Sequence, residues 1–470
     1  MRISLTRPAV AGIGALCLML SRAAFMRAQS QHDQHAQDST RIDSNLDSLV
    51  AHALAVSPTV HAASLRVNAE RARVGPAGAR PDPMLMAGIQ NQPLGREAAT
   101  PSAHGVATSS SPDPMTMHMI GISQTFPYPG KLNLRTTAAT HDVDAAVASV
   151  DDARLGVVRE VRTAYYEIAY TDRALDIIER NRAVLTDIAR VTEAHYASGS
   201  GMQQDVLKAR VALTQLAQNA NALQEQRRSQ VASLNALLDR PSDAPLDGAL
   251  IPERIVRAAV PDSADRIRFA STTFGAAAAD SPLPSLATLQ AMAIANSPML
   301  REHEARIAAQ TARVSLAATA TKPDVDVSLQ YGQRNGLTDM LSAIVSVPIP
   351  IQHARKQDED VAAARAELAA LEAEHHAQVN DLRARVAKLY ADVDRERTQL
   401  ALDVKAILPQ GRAALASATA SYQAGKGDLL SLLDSQSTLF TYETSYYRAL
   451  SDFGETLAEL EQVVGKEVLP

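Results

Sequence analysis

The chain has 470 residues, and 46% of them are hydrophobic although only 4% are aromatic and none is Trp. Ala, Leu, Val, Gln, Glu and Arg dominate, which favours long helices with thin apolar seams over one thick core. The formal net charge of -6 combines 46 basic and 52 acidic residues mixed along the chain, so no basic block indicates a nucleic-acid partner. The single cysteine, Cys17, excludes an intrachain disulfide and a Cys-based zinc site.

The N-terminal segment 1–28 is predicted to be a signal peptide. It starts with two arginines, and the apolar run 9–20 that follows is too short to span a bilayer as a helix. Cleavage after Ala28 would use a small residue, although the preceding AAFMRA is an irregular site that does not fix the bond, and the large residue before Cys17 argues against a lipoprotein signal. A disordered leader is expected over 29–45. Beyond it no apolar run reaches the ~18 residues of a spanning helix, so a membrane crossing would have to use strands.

The rest of the chain repeats one plan twice, over 46–240 and over 286–470. Each half starts with a helix, continues as a β-hairpin (83–126 and 323–347) and ends in a long helical hairpin. The stretch 241–285 between the halves is rich in Ala, Pro and Asp and shows little periodicity. We expect it to form an irregular equatorial linker.

The strand pattern is clearest in the second hairpin. Apolar residues alternate there with polar or small ones, and the apolar set is Val325, Val327, Leu329 and Tyr331. In the first hairpin, Met115, Met117 and Met119 suggest a copper or silver site, because thioethers suit soft ions. The same alternation places His118 on the face opposite the three methionines. This separation favours ordinary strand packing over a metal site.

Two very long helices are predicted, from about 131 to 195 and from about 354 to 422. At 1.5 Å per residue, about sixty residues give roughly 90 Å of helix, more than a compact domain needs. Apolar residues recur every seven positions in the second helix, at Val379, Val386, Val393, Leu400 and Ile407. This repeat predicts coiled-coil packing of neighbouring helices side by side. Pro409 predicts a kink near the end of the second helix.

Each long helix ends in the same short motif, Tyr196–Gly199 in the first half and Tyr422–Gly425 in the second. A further helix returns after each motif, so each half ends in a hairpin of two helices. Four glycines are expected to act as tip-turn residues that permit positive φ angles: Gly199, Gly201, Gly425 and Gly427.

The strand count implies assembly if the hairpins lie in a membrane. Two hairpins give four strands, whereas about eight are needed to close a barrel, and open edges are not tolerated in lipid. Several protomers must then share one barrel, and three copies would supply twelve strands. The alternative is that the hairpins belong to a sheet in water.

Three stretches of the chain carry a resemblance to a known family: Gly121–Arg135, Tyr196–Leu216 and Tyr422–Phe440. In combination, the repeated Tyr-x-x-Gly turn and the Leu-rich returning helix resemble the TolC-like outer-membrane factors over nearly the whole mature chain. The FPYPGK motif at 126–131, together with Arg80–Met84, is similar to the heavy-metal efflux branch (CusC- and CzcC-like).

This resemblance implies a mainly α fold with a small β part. It implies a homotrimer whose protomers form a long antiparallel coiled-coil α-barrel in the periplasm and a shared 12-stranded barrel in outer-membrane lipid. Its expected partners are a periplasmic adaptor, or membrane fusion protein, and an inner-membrane pump of the resistance-nodulation-division class. The expected function is a passive export duct for heavy-metal cations, with no enzymatic activity and no cofactor.

The resemblance also implies a gate at the periplasmic tip. Asp205 and Tyr422 match members of the closing network, and Asp434 matches an acidic ring at the aperture, where three copies of one carboxylate would attract cations. Asp205 has a second interpretation that we weigh equally, as an acid that favours the positive end of its helix.

The chain departs from the family pattern at two tip positions. A second acidic ring is expected three residues before Asp434, and that position is Ser431. Gly427 stands where some relatives carry a linking Arg, although Lys426 is adjacent. These departures bear on the strength and the selectivity of the gate.

Two rival functions remain open at this point. One is the outer-membrane duct of a drug efflux or type I secretion system, since the cargo is selected largely by the pump. The other is a periplasmic coiled-coil scaffold without a pore. The sequence contains no phosphate-binding loop, no Gly-x-Ser-x-Gly and no His-Glu-x-x-His motif, and the predicted site holds no metal.

Overall fold

The structure, a computed structural model, describes residues 45–91, 116–260, 283–334 and 337–469. The predicted signal peptide 1–28 lies outside these residues, as does the predicted leader except for Asn45. The chain divides into two units, 1–49 and 50–470. Apart from the start of the first helix, every described helix and strand belongs to the second unit.

Among its described residues, the first half contains four helices and two strands: α1 (Leu46–Val56), α2 (Pro58–Gly78), β1 (Met84–Gln90), β2 (Met117–Phe126), α3 (Lys131–Ala197) and α4 (Gln203–Leu237). A short helix, α5 (Glu253–Ala259), comes next in the chain. The second half contains α6 (Leu286–Asn296), α7 (Pro298–Ala318), β3 (Val325–Arg334), β4 (Met340–Ser346), α8 (Gln357–Leu402), a π-helix (Asp403–Ile407), α9 (Leu408–Gln423) and α10 (Leu429–Val464). Short 3-10 turns cover Thr319–Thr321 and His353–Arg355. The expectation of a mainly α fold with a small β part is confirmed.

The two halves use the same local chemistry to start their second helix. Ser57 caps α2 by accepting a hydrogen bond from the Val60 N–H at 3.4 Å, and Ser297 caps α7 in the same way. A proline follows each cap at the first helical position, where its missing N–H removes no helical bond. The Ser-Pro pairs therefore fix where these helices begin.

The linker is not irregular throughout, as 241–285 was expected to be. Within the described part of that segment, Glu253–Ala259 forms a helix that buries Ile255, Ala258 and Ala259. Glu253 lies in the first turn and Arg257 in the last, which suits the helix dipole at both ends. Local burial of one apolar side therefore creates a helix that was too short to detect by periodicity.

The long helix of the second half breaks where proline disrupts it. α8 ends at Leu402, a π-helical turn follows over Asp403–Ile407, and Pro409 is the second residue of α9. Proline has no N–H to donate, and its ring clashes with the carbonyl of the residue four positions earlier, so the regular ladder cannot continue. At the position of the predicted kink the structure therefore has a π-turn.

The helices pack through a thin core whose largest buried side chains include Tyr166 on α3 and Phe453 on α10, each 1% exposed. Gly454 permits the close approach of these helices, since a Cβ there would lie 3.0 Å from the Tyr166 ring. Arg162 on α3 bonds the carboxylate of Glu461 on α10 within the same contact. Among the described residues, no single helix is long and apolar enough to cross a membrane; only α1 and α2 together, bent by 40°, meet that requirement.

The four strands form one antiparallel sheet in the order β1-β2-β3-β4. The two hairpins join through β2 and β3, which pair from Met117 opposite Arg334 to Phe126 opposite Val325. The outer sides of β1 and β4 have no strand partner among the described residues. The sheet therefore joins the two halves of the chain and presents two open edges.

The sheet has one apolar face, and this face is exposed. The register places the following residues on it: Leu85, Ile89, Ile120, Ile122, Leu329, Tyr331, Leu341 and Val345. Leu341 is 72% exposed and Leu329 is 47% exposed. The opposite face carries Ser328, Gln330 and other polar or small residues, together with Ile344 and five methionines. The usual arrangement of a water-soluble sheet, with apolar side chains inward, is thus inverted.

A charged contact fixes the junction between sheet and helices. The Lys131 ammonium lies 2.7 Å from Oδ1 of Asp324 and donates to the Lys322 carbonyl at 2.8 Å. The Tyr128 N–H donates to the same Asp324 oxygen at 2.8 Å. Lys131 begins α3 and Asp324 precedes β3, so the contact joins the two halves where strands give way to helices.

Candidate functional site: the tips of the two helical hairpins

The α3–α4 and α9–α10 turns have the same backbone geometry. Gly199 adopts φ +75° and Gly425 adopts φ +67°, a left-handed conformation that glycine reaches without strain. The Gly199 N–H donates to the Tyr196 carbonyl at 3.1 Å, and the Gly425 N–H donates to the Tyr422 carbonyl at 3.0 Å. The repeated motif therefore builds the same turn twice.

The other two tip glycines serve a different purpose from the one expected. Gly201 and Gly427 do not have positive φ angles. A Cβ on Gly201 would lie 3.0 Å from the Tyr196 nitrogen, and one on Gly427 would lie 3.2 Å from the Tyr422 nitrogen. These glycines allow the chain to fold back closely against the last turn of the preceding helix.

Tyr422 is buried at the tip and makes a defined hydrogen bond. Its hydroxyl lies 2.9 Å from Oγ1 of Thr192 on α3, and Thr192 donates to the Ile188 carbonyl at 2.8 Å. Because the Thr192 hydroxyl hydrogen is used in that bond, Tyr422 is the donor. The ring also packs against His195 at a centroid distance of 5.4 Å. Tyr422 therefore connects the second hairpin to the first within one chain.

The remaining tip residues differ in their surroundings. Tyr196, the equivalent of Tyr422, is 49% exposed. Asp205 is half-buried in the first turn of α4, and no hydrogen bond joins it to Tyr422 among the described residues. The chain thus brings Tyr422 to Thr192 and not to Asp205. The sequence analysis did not identify Thr192, because it lies 230 residues from Tyr422 and no local motif indicates the contact.

The departures from the family pattern also have structural counterparts. Asp428 caps α10, and its carboxylate accepts a hydrogen bond from the Ser431 N–H at 3.2 Å. Lys426 and Gly427 lie in the exposed turn, where both N–H groups donate to the Ser421 carbonyl at 3.0 Å. The start of α10 is therefore held by a side-chain cap, whereas Met202 at the N-cap position of α4 makes no side-chain capping hydrogen bond.

Below the turns, an apolar cluster joins the four helices of the two hairpins. Its members are Ile178, Leu185, Ile188, Leu216, Tyr422, Leu429 and Leu432. Each of these side chains is at most 7% exposed. The cluster ends one turn below the glycines, so the packed part of the tip extends up to Tyr422.

Asp434 lies beyond this cluster on the exposed side of α10. It lines a groove of about 750 Å³ between α4 and α10. Lys208 lines the opposite side, and the two charges form no ion pair among the described residues. The groove floor includes Asn181 and Gln436, which are buried and hydrogen-bonded to each other. An exposed carboxylate on a returning helix is free to interact with mobile cations or with a partner.

A second cavity, of about 620 Å³, lies between α3, α8 and α10 and holds several carboxyl groups. Burial raises the pKa of Glu396 on α8 to about 7, and it raises the pKa of Glu455 on α10 to about 7. Hydrogen bonds from Thr456 at 3.2 Å and from Ser451 at 3.1 Å act in the opposite direction. Burial is the larger effect for both groups.

The same cavity contains further charges that act on these two carboxyls. Asp452 raises the pKa of both Glu396 and Glu455, and burial raises its own pKa although Arg448 lies 2.9 Å away. Arg395 lies 3.3 Å from Glu396 and lowers its pKa. Among the described residues, no group of three His, Cys, Asp or Glu side chains is arranged to hold a metal ion.

The comparisons with known proteins agree with this architecture. The outer membrane efflux protein family model matches residues 49–240 and 289–466. Nodulation protein T of Rhizobium leguminosarum bv. trifolii is 22% identical over 352 residues, which are 73% of this chain and 70% of that protein.

Among solved structures, the outer-membrane channel OprN superposes with a TM-score of 0.70 at 19% identity and covers 92% of this chain and 94% of its own. CusC superposes with a TM-score of 0.71 at 17% identity, over 90% and 93%. The outer membrane protein VceC of Vibrio cholerae superposes with a TM-score of 0.70 at 18% identity, over 91% and 98%. These likenesses show a shared fold.

The two segments matched by the family model contain both β-hairpins, both long helices and both tip turns. Together they cover well over half of the chain. The chain therefore belongs to the outer membrane efflux protein family and is an outer-membrane protein with a long periplasmic part.

Proposed function

We propose that this chain is one protomer of a homotrimeric duct that exports solutes across the outer membrane. The observation that carries the proposal is the four-stranded sheet with an exposed apolar face and two open edges. The apolar face suits lipid, but open edges are not stable there unless they are paired. Three copies would pair β1 of one protomer with β4 of the next and close a barrel of twelve strands.

The duct is closed at the periplasmic end by the two hairpin tips. Tyr422 and its Thr192 partner hold the second hairpin against the first. Asp434, exposed on α10, would form an acidic ring in the trimer and favour cations. Asp205 supports the start of α4, and the four tip glycines give both turns their close geometry.

The partners in this proposal are a periplasmic adaptor and an inner-membrane pump of the resistance-nodulation-division class, which supplies the energy. Heavy-metal cations are the proposed cargo, in line with the FPYPGK motif and the fold shared with CusC. Drugs are a second candidate class of cargo. A third is a product connected with nodulation, because the related protein is named nodulation protein T. Growth of a deletion strain on a panel of metals and drugs separates the metal and drug classes, because only the true cargo becomes toxic at lower concentration.

The decisive experiment measures mass and conductance on the purified chain. Light scattering in detergent should give a trimer, and planar bilayers should show a cation-preferring conductance. Neutralising the ring with Asp434→Asn should lower the cation-to-anion permeability ratio roughly sevenfold, since a change of about 1 kT in the local potential acts with opposite sign on cations and on anions.

Asp187→Asn is the matched control, because Asp187 is an exposed acid on α3 that pairs with Arg190 at 3.0 Å. It should leave the permeability ratio unchanged. A monomer that forms no pores would disprove the duct and support a scaffold. A conducting trimer with the same selectivity in both variants would remove Asp434 from the gate.

A further inference from the structure

The polar face of the sheet carries an unusual number of thioethers. Five methionines share this face: Met84, Met86, Met117, Met119 and Met340. They come from three strands and from both halves of the chain. Met115 lies outside the described residues, and His118 is on the apolar face. The methionines of the first hairpin are therefore joined on this face by Met340 of the second hairpin, whereas no histidine of the described strands lies there.

Three of these methionines surround a residue that has no side chain. Gly332 on β3 is buried and pairs with Met119 on β2 and with Met340 on β4. Adjacent strands lie about 4.8 Å apart, so the Cα atoms of Met119 and Met340 are separated by about 10 Å with only Gly332 between them. The flexible side chains of two methionines can meet over such a gap.

The side chain of Met117 also lies next to Gly332. Its Sδ atom lies 2.9 Å from the position that a Cβ on Gly332 would take. Met117 and Met119 are two residues apart on β2 and are both half-buried, so the sulfur is held against the strand and not directed away from it. The absence of a side chain at Gly332 thus gives three thioethers from two hairpins access to one point.

A fixed charge on this face is Arg334, opposite Met117. Its guanidinium donates to the Thr338 carbonyl at 2.9 and 2.6 Å. A positive charge repels a divalent cation twice as strongly as a monovalent one. Thioethers bind soft ions and contribute no charge, so this environment favours soft monovalent ions over Zn²⁺ or Co²⁺.

We propose that Met117, Met119 and Met340 form a thioether site above Gly332 that binds Cu⁺ or Ag⁺ during passage through the duct. The proposal rests on the function proposed above and specifies the cargo as a soft monovalent metal ion. The site lies on the polar face of the sheet, which faces the water-filled interior when three protomers close a barrel.

The test uses Ag⁺ as the probe, because it is soft, monovalent and stable in air. Isothermal titration of the purified trimer in a nitrate buffer should show one Ag⁺ per protomer that Zn²⁺ does not displace. Met119→Leu/Met340→Leu should weaken this binding at least about 100-fold, since loss of outer-shell partners alone costs 10- to 100-fold. Met84→Leu removes a thioether from the same face, opposite Ser123 and away from Gly332, and should bind like the wild type.

A second variant tests the geometry while keeping every methionine. In Gly332→Ala, the added Cβ would displace the Met117 sulfur, which is the movable end of a flexible side chain, so the sheet should still fold. Ag⁺ binding should weaken about 10- to 100-fold, as expected when a ligand is reoriented. Gly88→Ala is the control, because a Cβ on Gly88 meets nothing within 4 Å. Its binding should be unchanged.

Equal Ag⁺ affinity in wild type, Met119→Leu/Met340→Leu and Gly332→Ala would overturn the proposal, as would displacement of Ag⁺ by Zn²⁺. Conductance in planar bilayers separates the two proposals. A conducting trimer without the Ag⁺ site refutes only the thioether site, whereas a chain that forms no pore refutes the duct whatever it binds.

Discussion

The two helical hairpins are built alike at their tips and differently along their length. In the first, α3 runs for 67 residues without a break. In the second, α8 of 46 residues is separated from α9 of 16 residues by a π-turn of five. Two helices can therefore share one turn geometry while only one of them has an interruption in its regular hydrogen-bond ladder. The second hairpin is thus the one whose first helix is interrupted before its tip.

Buried acids reinforce this difference. Among the described residues, the carboxyls whose pKa is raised by burial all belong to the second half: Glu396, Asp403, Asp452, Glu455 and Glu461. Asp403 begins the π-turn and accepts a hydrogen bond from Gln399 at 3.0 Å. The second half thus contains both the interrupted helix and these ionisable groups, which lie on α8, on the π-turn and on α10.

The largest expected effect comes from introducing a proline into the uninterrupted helix α3, compared with removing the proline from α9. Alignment of the two turns places Ala183 of α3 at the position of Pro409. Ala183→Pro should destabilise the trimer by about 3 kcal/mol or more, because proline inside an uninterrupted helix removes a hydrogen bond and clashes. Pro409→Ala should change stability by less than about 1 kcal/mol, since alanine is the better helix former but the π-turn must repack.

Thermal unfolding followed by circular dichroism measures both variants. Ala183→Ser controls for the position itself, because Ala183 is exposed and serine keeps the N–H. Equal midpoints for Ala183→Pro and Pro409→Ala would mean that the two helices tolerate a break equally, and the contrast between the hairpins would be lost.

The next effect in size is a pH dependence located in the second hairpin. The pKa values of Glu396 and Glu455 are about 7 in the folded chain, above the ordinary value of 4.5. Between these values the unfolded chain has released protons that the folded chain retains, so stability falls as pH rises from about 4.5 to about 7. After allowance for partial exposure, we expect about 2 kcal/mol over this window.

Glu396→Gln/Glu455→Gln should flatten this dependence, because glutamine copies the protonated acid and does not titrate. The measurement is the unfolding midpoint of the trimer at pH 5, 6, 7 and 8. Glu372→Gln, an exposed position on α8, should retain the wild-type slope. Parallel slopes in all three proteins would show that these carboxyls are not the groups that titrate.

The smallest expected effect separates the two tip tyrosines. Tyr422→Phe removes the hydrogen bond to Thr192 inside the apolar cluster and should cost about 1 kcal/mol. Tyr196→Phe changes an exposed side chain and should cost less than about 0.5 kcal/mol. Denaturant unfolding of the two variants gives the comparison, and a larger loss for Tyr196→Phe would contradict the asymmetry of the tips.

The sequence predicted those features of the fold that depend on local pattern. Period-two alternation identified β3, the seven-residue repeat identified α8, and Pro409 identified its break. The short helix α5 escaped detection because seven residues hold too few turns to show a period. The role of Gly201 and Gly427 was predicted incorrectly. Glycine is required both for close backbone approach and for a positive φ angle, so the sequence alone does not distinguish the two roles.

The candidate site was less predictable because it joins distant parts of the chain. Nothing local distinguishes Thr192 from other helix threonines, and its contact with Tyr422 exists only once the hairpins pack. The methionines show the same limit. Met117 and Met119 were visible as a pair, but Gly332 and Met340 become neighbours only through the pairing of β2, β3 and β4.

The open sides of β1 and β4 also affect how the protein matures. A lone protomer offers two templates to which any stray strand can bind, including one from another unassembled copy. Protomers paired with the wrong strand would form open assemblies that add further chains. Only a closed ring with the correct number of protomers leaves no unpaired strand edge. Productive maturation therefore requires that the hairpins stay shielded until three chains meet, and expression above the capacity of that shielding should yield aggregates in place of trimers.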